Sequence, residues 1–400
     1  MQTENNNQAG AEIAEFNNAW KGRGNLANLV TELQRQKESR VDFVADVRHL
    51  KFEANGGIKL IPTTAQAFEW MPDGPMEVIR AAYHQIARKC DPAIPTRFFD
   101  ELMSERPTRL ADLVNGLHAD DPKKRLVRCL DGKVRAWLSN GYRVIDNMDI
   151  AFTCLDEARK KDAQVFEADL SDKRMRIKFT TQQVFDAIDV KQKGDGGWYA
   201  KAMGNKELLG KSILGARITD ELPGGPGTVH PVVTVLNSET GHGGFHVRIG
   251  ILMGICFNVA TLETVVSQIH LGERLEEGIF SQEAISAEAN AIMLKARDAV
   301  RAAFDQEKFK RMIATARLSQ AVTIEAPAAA VNNVVEAGVV NEEQREALLT
   351  YFLRDYDQTA FGIAQAVSRL AQDVEDPDDA GDLEEFAGKI IKNPDLVLAR

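Results

Sequence analysis

Three stretches of the chain alternate apolar and polar residues with a period of two, which marks strands with one buried and one wet face. In residues 174–180, Met175, Ile177 and Phe179 fall on one side and Arg174, Arg176 and Lys178 on the other. Residues 230–258 open on a β-branched run, Val232 to Leu236, break on the polar, glycine-rich stretch 237–244, and alternate again. There Phe245, Val247, Ile249 and Ile251 oppose His246, Arg248 and Gly250. Two such runs around a glycine-rich break predict a β-hairpin with a long, mobile tip. Residues 133–142 set Val134, Ala136 and Leu138 against Lys133, Arg135 and Trp137, and break at Ser139-Asn140-Gly141. Residues 41–60 read as extended segments around the turn Asn55-Gly56-Gly57.

Elsewhere apolar residues recur every three or four positions, which predicts helices over 76–89, 97–103, 110–117, 148–161 (with Asp146 as cap), 261–270 and 284–317. Residues 344–353 and 361–370 read as the helices of a C-terminal segment, with 326–331 a link and 374–382 a charged spacer. Residues 191–222, glycine- and lysine-rich around Trp198-Tyr199, read as a long loop. The pattern predicts an α+β fold: an antiparallel sheet of β-hairpins flanked by helices, with a helical acidic C-terminal segment. The expected organisation is a flexible N-terminal arm (1–40), a core domain (41–317) and the C-terminal segment (318–400).

Composition narrows the class. With 400 residues, 44% of them hydrophobic, the chain can bury a sizeable core. No run reaches the ~18 apolar residues of a membrane span, and the polar N-terminus resembles neither a signal nor a transit peptide. The four widely spaced cysteines suit buried free thiols in a reducing cytoplasm. The net charge of −10 conceals an asymmetry: residues 123–217 hold 20 Lys+Arg and 13 Asp+Glu, whereas 318–400 hold 6 and 16. A basic middle beside an acidic end fits a polyanion-binding core with a repelling or self-masking tail.

Motifs for enzymatic chemistry are weak. The stretch GNKELLGKS (204–212) has five residues where a P-loop needs four between Gly and Gly-Lys-Ser, so it is an ordinary turn. His230, His242, His246 and Cys256 lack the helical spacing that would aim them at one metal, so no metal site is expected. Ser238 beside His242 lies outside any nucleophile-elbow pattern, and no dinucleotide fingerprint follows a strand. Neither a cofactor nor a catalytic set is expected. The remaining constellation is distributed over the alternating strands, whose polar faces carry Arg135 with Trp137, then Arg174, Arg176 and Lys178, then His246 and Arg248. If the strands share a sheet, they present cations that neutralise phosphates next to rings that stack on bases: Trp137, Tyr142 (followed by Arg143) and Trp198. The bland alternative is an ordinary wet sheet face.

The runs RLVRCLDGKVRAWLSNGYRVIDNMDI, VVTVLNSETGHGGFHVRIGILMGICFN, IHLGERLEEG and IMLKARDAVRAAFDQEKF resemble a family encoded mostly by bacteriophages and plasmids and catalogued as domain of unknown function 932. The similarity spans about 41–317 and extends to YDQTAFGIAQAVSRLAQ and DLEEFAG in the tail. It implies a mobile-element protein acting inside a bacterium and transfers no catalytic residue. In its loose order of hairpins and helices the chain is more distantly similar to single-strand annealing recombinases. That similarity implies a basic groove for single-stranded DNA and a homo-oligomeric ring. The function expected is sequence-tolerant single-stranded DNA binding, with strand annealing in recombination or replication. The alternative is a protein-interaction or anti-defence factor that binds a host or phage protein through its acidic C-terminal segment. No membrane partner is expected.

Overall fold

The computed structural model describes residues 26–60, 75–142, 144–181, 183–188, 228–253, 258–268, 282–374 and 376–398. The amphipathic helix α1 (Leu26–Ser39) runs into strand β1 (Arg40–Asp46), and a single 3₁₀ turn leads to the short hairpin of β2 (Leu50–Phe52) and β3 (Ile58–Leu60). Three helices follow, α2 (Arg80–Lys89), α3 (Thr96–Glu105) and α4 (Pro107–Ala119). Next come β4 (Lys124–Leu130) and β5 (Lys133–Ser139), paired as a hairpin. Asp131 and Gly132, at φ 52° and 75°, form its two-residue turn, the conformation that suits the twist of the flanking strands.

Helix α5 (Asn147–Arg159) then precedes β6 (Ala163–Leu170), β7 (Met175–Thr181) and the two-residue β8 (Asp186–Ala187). The strands β9 (Thr228–Asn237), β10 (Phe245–Met253) and β11 (Val259–Gln268) complete the sheets. The rest is helical: α6 (Gln282–Ala303), α7 (Gln306–Gln320), α8 (Pro327–Glu336), α9 (Glu342–Asp355), α10 (Ala360–Ala371) and α11 (Pro377–Lys392).

The chain is therefore α+β, and its strands form separate antiparallel sheets. One has the order β1-β4-β5; the larger runs β11-β10-β9-β7-β6, with β8 beside β9. Each has its own core. In the smaller unit Phe43, Val127, Trp137, Ile86, Phe99 and Val114 pack between the three-stranded sheet and helices α2 to α4. In the larger, Ile177, Phe179, Val235, Val247 and Ile249 form the apolar face of the sheet, packed with Ile150 and Cys154 of α5 and Ala296 and Val300 of α6. Among the described residues no helix is long and apolar enough to cross a membrane.

The alternation predicted for β7 and for the β9–β10 hairpin holds throughout. Other expectations are corrected. Residues 261–268 form a strand, not a helix; Val259, Thr261, Thr264, Val265 and Val266 supply the β-branched side chains that favour a pleated surface. The link expected at 326–331 is instead the start of α8, which runs to Glu336, and the spacer expected at 374–382 gives way to α11 from Pro377 onward, capped by the Asp376 side chain. Nor does the C-terminal segment stand apart as a tail. Phe352, Ile363, Val367, Leu383 and Ile390 belong to the same buried cluster as the larger sheet. Of the arm expected over 1–40, residues 26–39 form α1 with Leu29 and Leu33 buried in the main cluster, while 1–25 and the loop expected over 191–222 lie outside the described residues.

Candidate nucleic-acid interface

The larger sheet brings most of the expected cations onto one face. Across β7, β9 and β10, Arg176 is level with Leu236 and His246, and Lys178 is level with Thr234 and Arg248. Residues directly opposite one another in a sheet point to the same side, so these form two lateral rows. Both rows continue onto β6, where Asp169 opposes Arg176 and Glu167 opposes Lys178. The side-chain period of two thus puts apolar residues on the core side of the sheet and charge on the other, as the sequence pattern demands.

That charged face is closed. Helix α11 crosses it, and one stripe of the helix at i, i+3, i+6, i+7 and i+10 meets the strands in turn: Asp378, Gly381, Glu384, Glu385 and Gly388. Asp378 lies 3.5 Å from Arg174, Glu384 2.6 Å from Lys178, and Glu385 2.9 Å from Arg248. A Cβ on Gly381 would collide with the Arg176 guanidinium, and one on Gly388 with the Thr261 carbonyl of β11. At Gly388 only glycine allows the helix backbone so close to the sheet, whereas at Gly381 the Arg176 guanidinium would have to shift.

Lys178 is fully buried, 0% exposed, and its ammonium sits between Glu384 and Glu167, the latter at 2.8 Å. A lone buried cation would be very costly, and two carboxylates offset that cost. Burial, with the negative charge of Glu167 next in weight, pushes the Asp169 carboxyl up to about 7. The face expected to be wet is thus a helix–sheet interface built of ion pairs.

Arg135 is not part of this face. It belongs to the three-stranded sheet, where it is buried, pairs with Glu239 and donates from Nη1 to Gln36 at 3.1 Å. A register shift between Arg128 and Cys129 interrupts the alternation of β5, so that Val134 and Trp137 enter the same core. Trp137 is 1% exposed and stacks on the His118 ring, with centroids 5.8 Å apart. Burial lowers His118 to about 4, so this ring is neutral at pH 7. Tyr142 is buried and donates to the Ser238 carbonyl at 2.9 Å. Neither ring is available for stacking on a base. Arg174 is partly exposed, donating from Nε to the His242 carbonyl at 2.9 Å. Arg143 and Trp198 lie outside the described residues.

The loop of the β9–β10 hairpin, expected to be mobile, is in its first half a buried clasp between the two sheets: residues 237–240 are buried, whereas Gly241 and Gly243 at its tip are exposed. Glu239 pairs with Arg135 and accepts from the Asn147 backbone N–H at 2.6 Å, while its own carbonyl accepts from Arg128 at 2.7 Å. Arg128 also reaches Asp42 of β1 at 2.9 Å. Gln85 donates to the Thr240 carbonyl, and the Ser238 hydroxyl donates to the Lys173 carbonyl at 2.6 Å. The polar residues of 237–240 are therefore partners for buried groups, which is why a stretch of loop composition lies inside the protein. The histidines follow the same logic: His230 Nδ1 lies 3.1 Å from the Thr181 carbonyl and His242 Nδ1 3.1 Å from the Thr240 hydroxyl. Among the described residues no group of three His, Cys, Asp or Glu is placed to hold a metal ion.

Beside this clasp a cleft of about 780 Å³ opens between α1, the β4–β5 turn, the β6–β7 turn and the start of α11. Arg35, Lys133, Arg135 and Lys173 line it together with Glu32, Asp131, Asp172, Asp376 and Asp378. Glu32 and Asp131 already neutralise Arg35, and Glu77 neutralises Lys133, so the cleft is not electropositive. Sequence reasoning missed the acidic half of the interface. Glu167 and Asp169 alternate with Ala168 and Leu170, a signal as legible as that of β7. The stripe of α11 stays hidden until residues 377–392 are read as a helix. No family model matches the chain, and neither a curated protein nor a solved structure matches it.

Proposed function

We propose that the protein binds single-stranded DNA with little sequence preference, the activity on which strand annealing in phage or plasmid recombination or replication would draw. The observation that carries this reading is the pair of lateral rows in which Arg176, Lys178, His246 and Arg248 share one sheet face, with Arg174 at its margin. Such rows fit a phosphodiester backbone, because each cation that neutralises a phosphate releases condensed counterions whatever the base. Trp137 and Tyr142, two of the rings expected to stack, are withdrawn from the surface, so contact at this face would rest on the backbone.

Fluorescence anisotropy of a labelled oligothymidylate, titrated with the full chain at several salt concentrations, tests this. Four cation–phosphate contacts give a slope of log Kobs against log salt of about −3 for a single strand. Arg174→Gln with Arg248→Gln removes the two cations least buried in the face, and is expected to weaken binding at least tenfold and flatten the slope. Absence of binding at low salt would overturn the reading.

A second reading has its own support. The pairing of Arg174, Lys178 and Arg248 with carboxylates of the same chain, and a net charge of −10, suit a protein-interaction factor with no nucleic-acid activity. A complex with a host or phage protein that persists after nuclease treatment, from a chain that binds no oligonucleotide, would favour it.

A further inference from the structure

Helix α11 has two unlike sides. Leu383, Ala387, Ile390 and Ile391 are buried in the main cluster, alongside buried residues of α7 and α10 such as Ile313 and Val367. The opposite stripe is made of glycines and carboxylates and faces the sheet. The apolar residues on that same sheet face, Phe166, Val232, Leu252 and Val259, form a small cluster of their own, separate from the main one. The plane between α11 and the sheet is therefore held mainly by ion pairs and close backbone contact, and the apolar packing of the helix lies on its far side.

The attachment is also lopsided. Toward β11, α10 is tied down by the Ser368 hydroxyl, which donates to the Val259 carbonyl at 2.6 Å, and by Asn258, which donates to the Gln365 carbonyl at 3.1 Å. Toward β7 the contacts are Lys178–Glu384 and Arg174–Asp378. Buried ion pairs contribute little net stability, because desolvating the two charges offsets much of their attraction.

We infer that α11 is an exchangeable ligand of the sheet: its carboxylates occupy a polyanion site, and a phosphodiester backbone displaces them as α11 pivots away, on its packing with α10, about the β11 edge. This rests on the single-stranded DNA reading and adds its regulation. The acidic helix competes with the strand for Lys178 and Arg248, so DNA is bound only where it outcompetes a tethered acid.

Two measurements on the full chain test it. Hydrogen exchange of the wild type is followed with and without a thirty-nucleotide oligothymidylate. Amides of residues 377–392 are expected to exchange at least tenfold faster in the complex, while those of β7 and β10 stay protected. In parallel, Asp378→Asn with Glu385→Gln removes two competing charges and leaves Glu384 on Lys178, and oligothymidylate affinity is expected to rise at least fivefold. If the wild type binds oligothymidylate but α11 exchange is unchanged and the variant binds no tighter, the strand sits elsewhere and this inference falls while the binding reading stands. If neither protein binds at low salt, both fall together.

Discussion

At the residue scale, three buried charges determine how the face and the clasp behave. Lys178 is fully buried between two carboxylates, so truncating it strands Glu167 and Glu384 inside the interface. Lys178→Ala is expected to cost about 3–5 kcal/mol in urea unfolding, and adding Glu384→Gln to recover part of it. A loss below ~1 kcal/mol would mean that water already reaches the site. Asp169 makes a pH prediction. Its folded pKa of about 7 lies above the usual carboxylate value, so the native state holds its proton more tightly than the unfolded chain does. Its contribution to stability is full below about pH 4 and is lost as the pH rises through 7, at up to about 1.4 kcal/mol per pH unit. Carboxylates such as Asp46 and Glu157, held low chiefly by Arg48 and Arg301, push the other way. The clean readout is the difference between wild type and Asp169→Asn, whose relative stability should rise between pH 4 and 7. A flat difference would remove Asp169 from the account. Glu239 is the third: Glu239→Gln weakens its pair with Arg135 and leaves that guanidinium poorly matched. The expected loss is about 2–4 kcal/mol, seen as a lower urea midpoint.

At the element scale, what was legible in the sequence is what local pattern determines. β7 and β10 announce themselves because each has one face in a core and one in a charged layer, and the period of two survives whether that layer is water or a helix; β9, apolar on both faces, is marked by its β-branched run instead. For the same reason alternation could not reveal that the layer was occupied. Asp131-Gly132, a hairpin signal absent from the expectations above, joins β4 to β5. β11 reads ambiguously because apolar residues cluster at its two ends, and its pairing with β10 contains two register shifts, which spoil strict alternation. The clasp at 237–240 was least legible, because a polar, glycine-rich stretch looks the same whether its groups face solvent or the buried Arg128 and Arg135. Gly388 offers a test of the helix–sheet seam. Alanine there would favour the helix in isolation, yet its methyl group meets the Thr261 carbonyl. Gly388→Ala is expected to lower the thermal midpoint and to raise hydrogen exchange in residues 384–392. A neutral or stabilising result would show that the helix seats less closely than described.

At the scale of the whole molecule, two cores are joined by charged and polar contacts, chiefly those of Glu239, Arg128 and Arg135. An interface of this kind is weakened by salt less than surface pairs are, because its groups are buried. The fold also separates what composition suggested from what is accessible. The basic middle of the chain includes β7, whose Arg174 and Lys178 are matched against carboxylates in the acidic end of the same chain. Ordering of synthesis gives this matching a consequence. The cationic rows are complete once Arg248 has been made, whereas Glu384 and Glu385 follow some 136 residues later. At translation rates of about 5–20 residues per second, that interval is on the order of 7–30 s. Throughout it a nascent chain whose sheet has formed carries Lys178 without Glu384, Arg248 without Glu385 and Arg176 without the helix that covers it, beside a ribosome built largely of polyanion.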